Sequence, residues 1–223
     1  MPIWDIIGPV MIGPSSSHTA GAVRIGRMVR MCCGGDVVKA DIYMRGSFAR
    51  TGAGHGTDKA LLAGLMGFKP DDPRVRDGLE LARERGLDYH FYEEDVDEAR
   101  PNSARIVATS GAGRVTEAIG ASIGGGAVLL EELDGFQIGV SGALPTIIIL
   151  NRDVQGVVGA VTSYLSKRDI NIATIKLHRD TRGGLATMVL ELDSDAVDKQ
   201  TVEELKKVHP AIVRVIGLKG DEE

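Results

Sequence analysis

The stretch TIIILNRDVQGVVGAVTSYLSKRDINIATIKLHRDTRGGLATMVLEL, residues 146–192, decides how the last third of the chain folds. Residues 146–151 form an apolar run of β type. Residues 157–167 then change period, with Val157, Val161, Tyr164 and Leu165 on one helical face. Alternation returns over 170–178, where Ile170, Ile172, Thr174 and Lys176 share a side, and a polar turn over 179–184 ends in glycine. Residues 185–193 read as a second strand, 194–208 as a helix and 211–216 as a closing strand. Strand–helix–strand–strand–helix–strand is the ferredoxin-like βαββαβ order.

Working back from that module, residues 139–145 (GVSGALP) are rich in glycine and end in proline, which marks a linker. It separates a first domain, 1–141, from the second, 146–223. The first domain reads as mixed α/β, so the whole chain is expected to be α+β. A polar loop over 13–19 leads into a helix with Ala22, Ile25, Val29 and Cys32 on its apolar face. Val38, Ala40, Ile42 and Met44 alternate as a strand. A glycine-rich loop over 51–56 opens a helix that ends at Gly67, and a third helix spans 73–85, with Pro73 at its start and Gly86 after its end. Residues 87–138 look mainly β, with a hairpin at Gly124-Gly125-Gly126.

Composition narrows the function classes. The chain has 223 residues, 43% of them hydrophobic, enough for two buried cores. A net charge of −5 and 4% aromatic residues argue against nucleic-acid and anionic-membrane surfaces. No run is long and apolar enough to span a bilayer, and Met1 to Asp5 lack the start of a signal peptide, so a cytoplasmic protein is expected. The two cysteines, Cys32 and Cys33, are adjacent. Their side chains diverge on any regular element, and an iron–sulfur cluster needs about four thiolates. Any such cluster would be held by another chain, so no metal ligand is expected in this one.

Residues 12–21, IGPSSSHTAG, carry the densest chemistry. Ser15, Ser16, Ser17, His18 and Thr19 stand where a loop becomes a helix, with free N–H groups and a positive dipole end. Ser17 or Thr19 alone would be a helix cap. Five consecutive polar side chains exceed what capping needs and suit a carboxylate or phosphate. In the second loop, RTGAGHGTD over 50–58, His55 lies between glycines on an exposed turn, and either Thr57 or Asp58 caps the next helix. Asn102 follows Pro101 at a strand start and would serve as a turn residue or reach a pocket. Arg24, Arg27 and Arg30 recur at helical spacing, as a solvated face or one meeting an acidic partner. His90, His178 and His209 have no companions at metal-ligand spacing.

Taken together these segments resemble the β subunit of bacterial iron–sulfur-dependent L-serine dehydratase. The carrying residues are Gly8-Pro9, the 12–21 loop, Gly46-Ser47-Phe48, Thr51 to Asp58, Pro101-Asn102 and the turn at Gly124-Gly125-Gly126. The first domain is similar to the allosteric substrate-binding domain of some phosphoglycerate dehydrogenases. Residues 151–156 and 169–173 are similar to ACT domains, with Asn151, Asp153 and Gly156 in the ligand loop. Gln155 stands where many ACT domains have proline.

The resemblance implies one subunit of a heteromeric lyase that turns L-serine into pyruvate and ammonia in amino-acid catabolism feeding gluconeogenesis. It implies a [4Fe–4S] cluster on a partner α subunit, and no pyridoxal phosphate. One iron would act there as Lewis acid on the β-hydroxyl. In this chain Ser15, Ser16, Ser17, Thr19, Thr57, Asp58 and Asn102 would bind substrate, and His18 or His55 would move the Cα proton. The ACT-like module would bind an amino-acid effector, often at a dimer interface, in a homo- or hetero-oligomer. The alternative is a non-catalytic, amino-acid-sensing regulatory subunit.

Overall fold

A computed structural model describes residues 10–193 and 197–220. Gly8-Pro9, the N-terminal residues read for a signal peptide, and 194–196 of the helix expected over 194–208 lie outside them. The chain forms two compact units that divide between Gly135 and Phe136. No helix among the described residues is long and apolar enough to cross a membrane.

The first unit begins with a π-helical turn, Ser16–Ala20, that runs straight into α1 (Gly21–Cys33). Then come β1 (Val37–Gly46), α2 (Ser47–His55), α3 (Thr57–Leu65), a 3-10 turn (Pro73–Asp77), α4 (Gly78–Glu84) and β2 (Asp88–Glu93). Strands β3 (Asn102–Ser110), β4 (Val115–Gly124) and β5 (Ala127–Leu133) complete it. The sheet order is β2-β1-β3-β4-β5, with β1 and β2 parallel and the other pairs antiparallel. The β4–β5 hairpin turns at the expected glycines, all three with positive φ.

Alternation puts Ala40, Ile42, Ala104, Ile106, Ala108, Ala118 and Leu130 inward; α1 lies on β3, β4 and β5, α3 packs on α1, and Ile25, Val29, Leu61 and Leu65 are buried between the layers. Cys32 and Cys33 are buried in this layer, where the Cys33 thiol lies 3.6 Å from the Ala108 and Arg114 carbonyls. The arginines of α1 are not a free solvated face. Arg24 donates to the Gly126 carbonyl, and Arg30 pairs with Asp36 and reaches the Leu65 carbonyl.

Two expectations for this unit need correction. Residues 51–56 are not a loop: all but Gly56 belong to α2, and only Gly56, at φ +70°, breaks the helix before α3. Glycine lowers helix propensity but does not forbid a helix, and Phe48, fully buried, anchors this one. Nor is 13–19 all loop, because Ser16 onward is already helical.

The second unit contains β6 (Phe136–Val140), β7 (Thr146–Arg152), α5 (Val157–Ser166), β8 (Ile172–Arg179), β9 (Leu185–Leu192), α6 (Lys199–Leu205) and β10 (Ile212–Leu218). From β7 onward the elements follow βαββαβ, and the four-stranded sheet β10-β7-β9-β8 is antiparallel throughout. Ile147, Ile149, Val161, Leu165, Met188 and Leu190 fill its core. Helix α6 is shorter than expected. Asp198 accepts from Thr201 N and starts it, and it ends at Leu205, ahead of Pro210.

Candidate active site

The site grows from how the 12–21 segment packs. Gly13 sits at φ +129°, and a methyl group there would lie 2.6 Å from Thr19 Cγ2, so the loop needs glycine to close on its own helix. The helix cap is Ser15, neither Ser17 nor Thr19. Its hydroxyl accepts from His18 N at 3.1 Å, and its carbonyl accepts from Thr19 N. The wide turn closes with Gly21 N donating to Ser16 O. Among the described residues the Ser16 and Ser17 amides have no main-chain partner, and their side chains are half-buried. π-turns of this kind often lie at functional sites.

His18 is held from helix α2. Its Nε2 lies 3.1 Å from Ser47 Oγ and 3.2 Å from Thr51 Oγ1, and Nδ1 lies 3.5 Å from Ser15 Oγ. Phe48 meets the ring edge-on. Thr51 Oγ1 donates to the Ser47 carbonyl at 2.9 Å, so toward His18 it is an acceptor. That favours the tautomer with hydrogen on Nε2 and leaves Nδ1, beside Ser15, as the basic nitrogen. Burial first, then the neighbouring His55 charge, hold the His18 pKa below its ordinary 6.5, while a hydrogen bond donated to the Ser47 main chain offsets part of this. Both causes favour the neutral imidazole, the form a base requires.

His55 sits at the C-terminal end of α2, not on a loop, with its ring 5.0 Å from that of His18. Its Nδ1 lies 3.1 Å from the Thr51 carbonyl. Thr19 is buried and turns inward, its hydroxyl 3.4 Å from the His55 carbonyl. It ties the turn to α2.

The remaining sequence candidates divide. Thr57 is fully buried, and its Oγ1 has no partner among the described residues. Asp58 bends back to its neighbour, with Oδ1 accepting from Lys59 N. Asn102 pairs in register with Gly46, and its Oδ1 is buried without a partner. Ser122 Oγ is a third such atom, packed against Gly21. Buried polar atoms left unsatisfied are uncommon, and Thr57 Oγ1, Asn102 Oδ1 and Ser122 Oγ are three of them among the described residues.

Sequence reasoning did not single out Ser47 and Thr51 as site residues. Their i,i+4 spacing on a helix was the available signal, concealed by reading 51–56 as a loop. Gly46 explains how α2 is placed. At φ +55° it packs on Pro101, and Ser47 N donates to the Pro101 carbonyl at 2.5 Å.

The serine dehydratase beta chain family matches residues 3–85, and the ACT domain family matches residues 145–210. A probable L-serine dehydratase beta chain of Bacillus subtilis is 41% identical over 96% of this chain and 96% of its own. This chain belongs to the serine dehydratase beta chain family. The L-serine dehydratase beta chain of Peptoniphilus asaccharolyticus is 36% identical over 91% of this chain and 90% of its own. D-3-phosphoglycerate dehydrogenase of Bacillus subtilis is 32% identical over 87% of this chain, which covers 36% of that enzyme.

The chain has two cysteines, fewer than the roughly four thiolates that commonly hold an iron–sulfur cluster. Both thiols are buried side by side in α1, and no group of His, Cys, Asp and Glu among the described residues converges to hold a metal ion. In the ACT domain the loop residues already have partners. Asn151 Nδ2 donates to the Arg152 carbonyl, and Asp153 accepts from Gly183 N and Arg179. Gly156, at φ +96°, precedes α5.

Proposed function

We propose that this chain is the β subunit of an L-serine ammonia-lyase, which converts L-serine to pyruvate and ammonia with an α subunit that carries a [4Fe–4S] cluster. The observation that carries the reading is a neutral, hydroxyl-held His18 beside free turn amides, in a chain 41% identical to a probable L-serine dehydratase beta chain. Only this chain's own part of the reaction follows from its residues. Substrate carboxylate accepts from the Ser16 and Ser17 amides and from the hydroxyls of Ser15, Ser16 and Ser17. That hold directs Cα toward His18 Nδ1, which takes the proton, while Nε2 stays anchored on α2. Asn102 and Thr57 offer further polar atoms to the substrate or its α partner. Thr19, Asp58 and His55 support the site from beside it. Departure of the hydroxyl is left to the partner chain, and the enamine released would hydrolyse to pyruvate and ammonia. Asn151, Asp153 and Gly156 form the loop at which an amino-acid effector would bind. Both subunits would work in the cytoplasm.

Similarity to D-3-phosphoglycerate dehydrogenase supports a second reading, a sensing subunit without catalytic residues. Co-expression with a cysteine-rich α chain, purified without oxygen, separates the two. The lyase reading expects serine-dependent pyruvate release that falls by roughly 100-fold or more in His18→Ala. Turnover unchanged in both His18→Ala and His55→Ala would remove these residues from the mechanism.

A further inference from the structure

The two halves of α2 are held very differently. In the first half Phe48 is fully buried, and Ser47 N donates to the Pro101 carbonyl at 2.5 Å. In the second half Thr51, Gly54 and His55 are exposed, whereas α3 beyond them is buried along most of its length. Gly52 and Gly54 lie inside the helix, and each makes it severalfold less favourable than alanine would. Nine residues are too few for a helix to stand without packing. Among the described residues, two side-chain hydrogen bonds tie residues 51–55 to other elements. The Thr19 hydroxyl reaches the His55 carbonyl at 3.4 Å, which is long for such a bond, and Thr51 Oγ1 lies 3.2 Å from His18 Nε2. Underneath, Gly52 packs on Thr57, whose buried Oγ1 has no partner among the described residues, and an unpaired hydroxyl weakens the wound form further. At the end of the helix Gly56, at φ +70°, gives the main chain a hinge before α3.

We propose that residues 51–56 are a lid that unwinds and rewinds about Gly56, uncovering and covering the His18 ring, while Ser47 and Phe48 stay in place. With the lid wound, Thr51 Oγ1 accepts from His18 Nε2 and the His55 ring stands 5.0 Å from that of His18. With it unwound both withdraw, and Ser47 alone holds Nε2 at 3.1 Å. The open form therefore exposes His18 to small molecules, and the closed form fixes its tautomer. That His18 then acts as a base rests on the lyase reading; the motion does not. Lids of this kind turn on a few residues that absorb the main-chain change, as Gly56 does here.

The test uses the full-length chain alone, with amide hydrogen exchange followed by NMR. His55 and Gly56 amides should exchange at least about tenfold faster than those of Leu61 to Leu65. Gly54→Ala adds a methyl group that meets nothing within 4 Å, so it favours the wound form without crowding. It should slow exchange at His55 and Gly56 by about fivefold. The same variant should slow modification of His18 by diethyl pyrocarbonate, mapped by mass spectrometry, by about fivefold, with exposed His90 unchanged as the internal standard. Gly54→Pro cannot keep this turn wound and should speed His18 modification, while slow exchange in α3 reports that the fold is intact. Wild-type His55 and Gly56 amides exchanging as slowly as those of α3, or His18 modification indifferent to Gly54→Ala, would overturn the lid. Loss of turnover in His18→Ala bears on the lyase reading and leaves these rates untouched, so the two proposals fail separately.

Discussion

The rings of His18 and His55 stand 5.0 Å apart, tilted by 40°, yet only His18 has hydroxyls beside both ring nitrogens. The pair repels when both are charged, and that repulsion adds to burial in lowering the His18 pKa. Replacing His55 by Asn removes one of the two lowering causes and leaves the larger, burial. The acid limb of kcat/KM in the assembled enzyme, and the His18 ring titration followed by NMR, should both move to higher pH in His55→Asn. A limb that moves down or stays fixed would mean that His55 charge is not felt at His18.

The same shift has a sign for stability. The unfolded chain protonates His18 near the ordinary 6.5, while the folded chain holds it neutral to lower pH. Between those two values the unfolded state binds more protons, so His18's contribution rises with pH through that window. It is complete above 6.5 and lost as pH falls through the folded pKa. In His18→Gln, denaturant midpoints measured from pH 5 to pH 7 should rise less steeply than in wild type.

Ser47 tests the anchoring of the base. Ser47→Ala removes the Nε2 partner at 3.1 Å but leaves Thr51 Oγ1 at 3.2 Å, so the ring keeps its tautomer and loses part of its alignment. A fall in kcat of roughly tenfold, with KM little changed, is expected from loss of one positioning hydrogen bond. Thr51→Val should cost more, because it removes the acceptor that fixes Nε2–H. Equal and small effects from both would indicate that α2 does not orient His18.

Much of this was legible in the sequence, and the failures are specific. The βαββαβ order of the second unit could be read from period alone, because its strands and helices bury one face each: Ile147 and Ile149 at spacing two, Val157, Val161 and Leu165 at spacing four. The candidate turn stands out in the sequence because Ser15 to Thr19 are too polar for a cap. Which of them faces inward could not be read, since Thr19 is buried only because Gly13 lets the loop close over it. Helix α2 was missed because Gly52, Gly54 and Gly56 look like a loop. Its stability comes from tertiary packing of Phe48, which local propensity does not record. Ser47 and Thr51 went unnoticed as site residues for the same reason.

The crossing of α1 and α3 depends on two glycines. A methyl group on Gly64 would lie 2.1 Å from the Val23 carbonyl, and one on Gly26 would lie 2.4 Å from the Leu61 carbonyl. Both obstacles are main chain and cannot swing aside. Alanine normally favours a helix by up to ~1 kcal/mol over glycine, but here the overlap wins. Gly64→Ala should cost about 3 kcal/mol or more, read from urea denaturation. As a contrast, Gly54→Ala meets nothing within 4 Å and should be neutral or slightly stabilising.

On the other face of the first unit's sheet, Glu94 joins two strands' arginines. Its carboxylate lies 2.6 Å from Arg45 Nη2 and 2.7 Å from Arg105 Nη2, and Arg105 also stacks on Tyr43 at 3.7 Å. The hydrogen bond from Arg105 first, opposed by burial and helped by Arg45, holds the Glu94 pKa below its ordinary 4.5. Its contribution is therefore present above 4.5 and lost as pH falls through the folded pKa. Glu94→Gln keeps the shape but removes the charge, leaving two partly buried guanidiniums facing a neutral amide. A loss of roughly 1–2 kcal/mol at pH 7 is expected, more than for an exposed pair because the side chains are mostly shielded. Below the folded pKa the wild-type carboxyl is neutral too, so the gap between the two proteins should close as the pH is lowered. Denaturation followed in steps downward from pH 7 tests both halves, and a gap that does not narrow anywhere along the acid series would assign the loss to packing instead of charge.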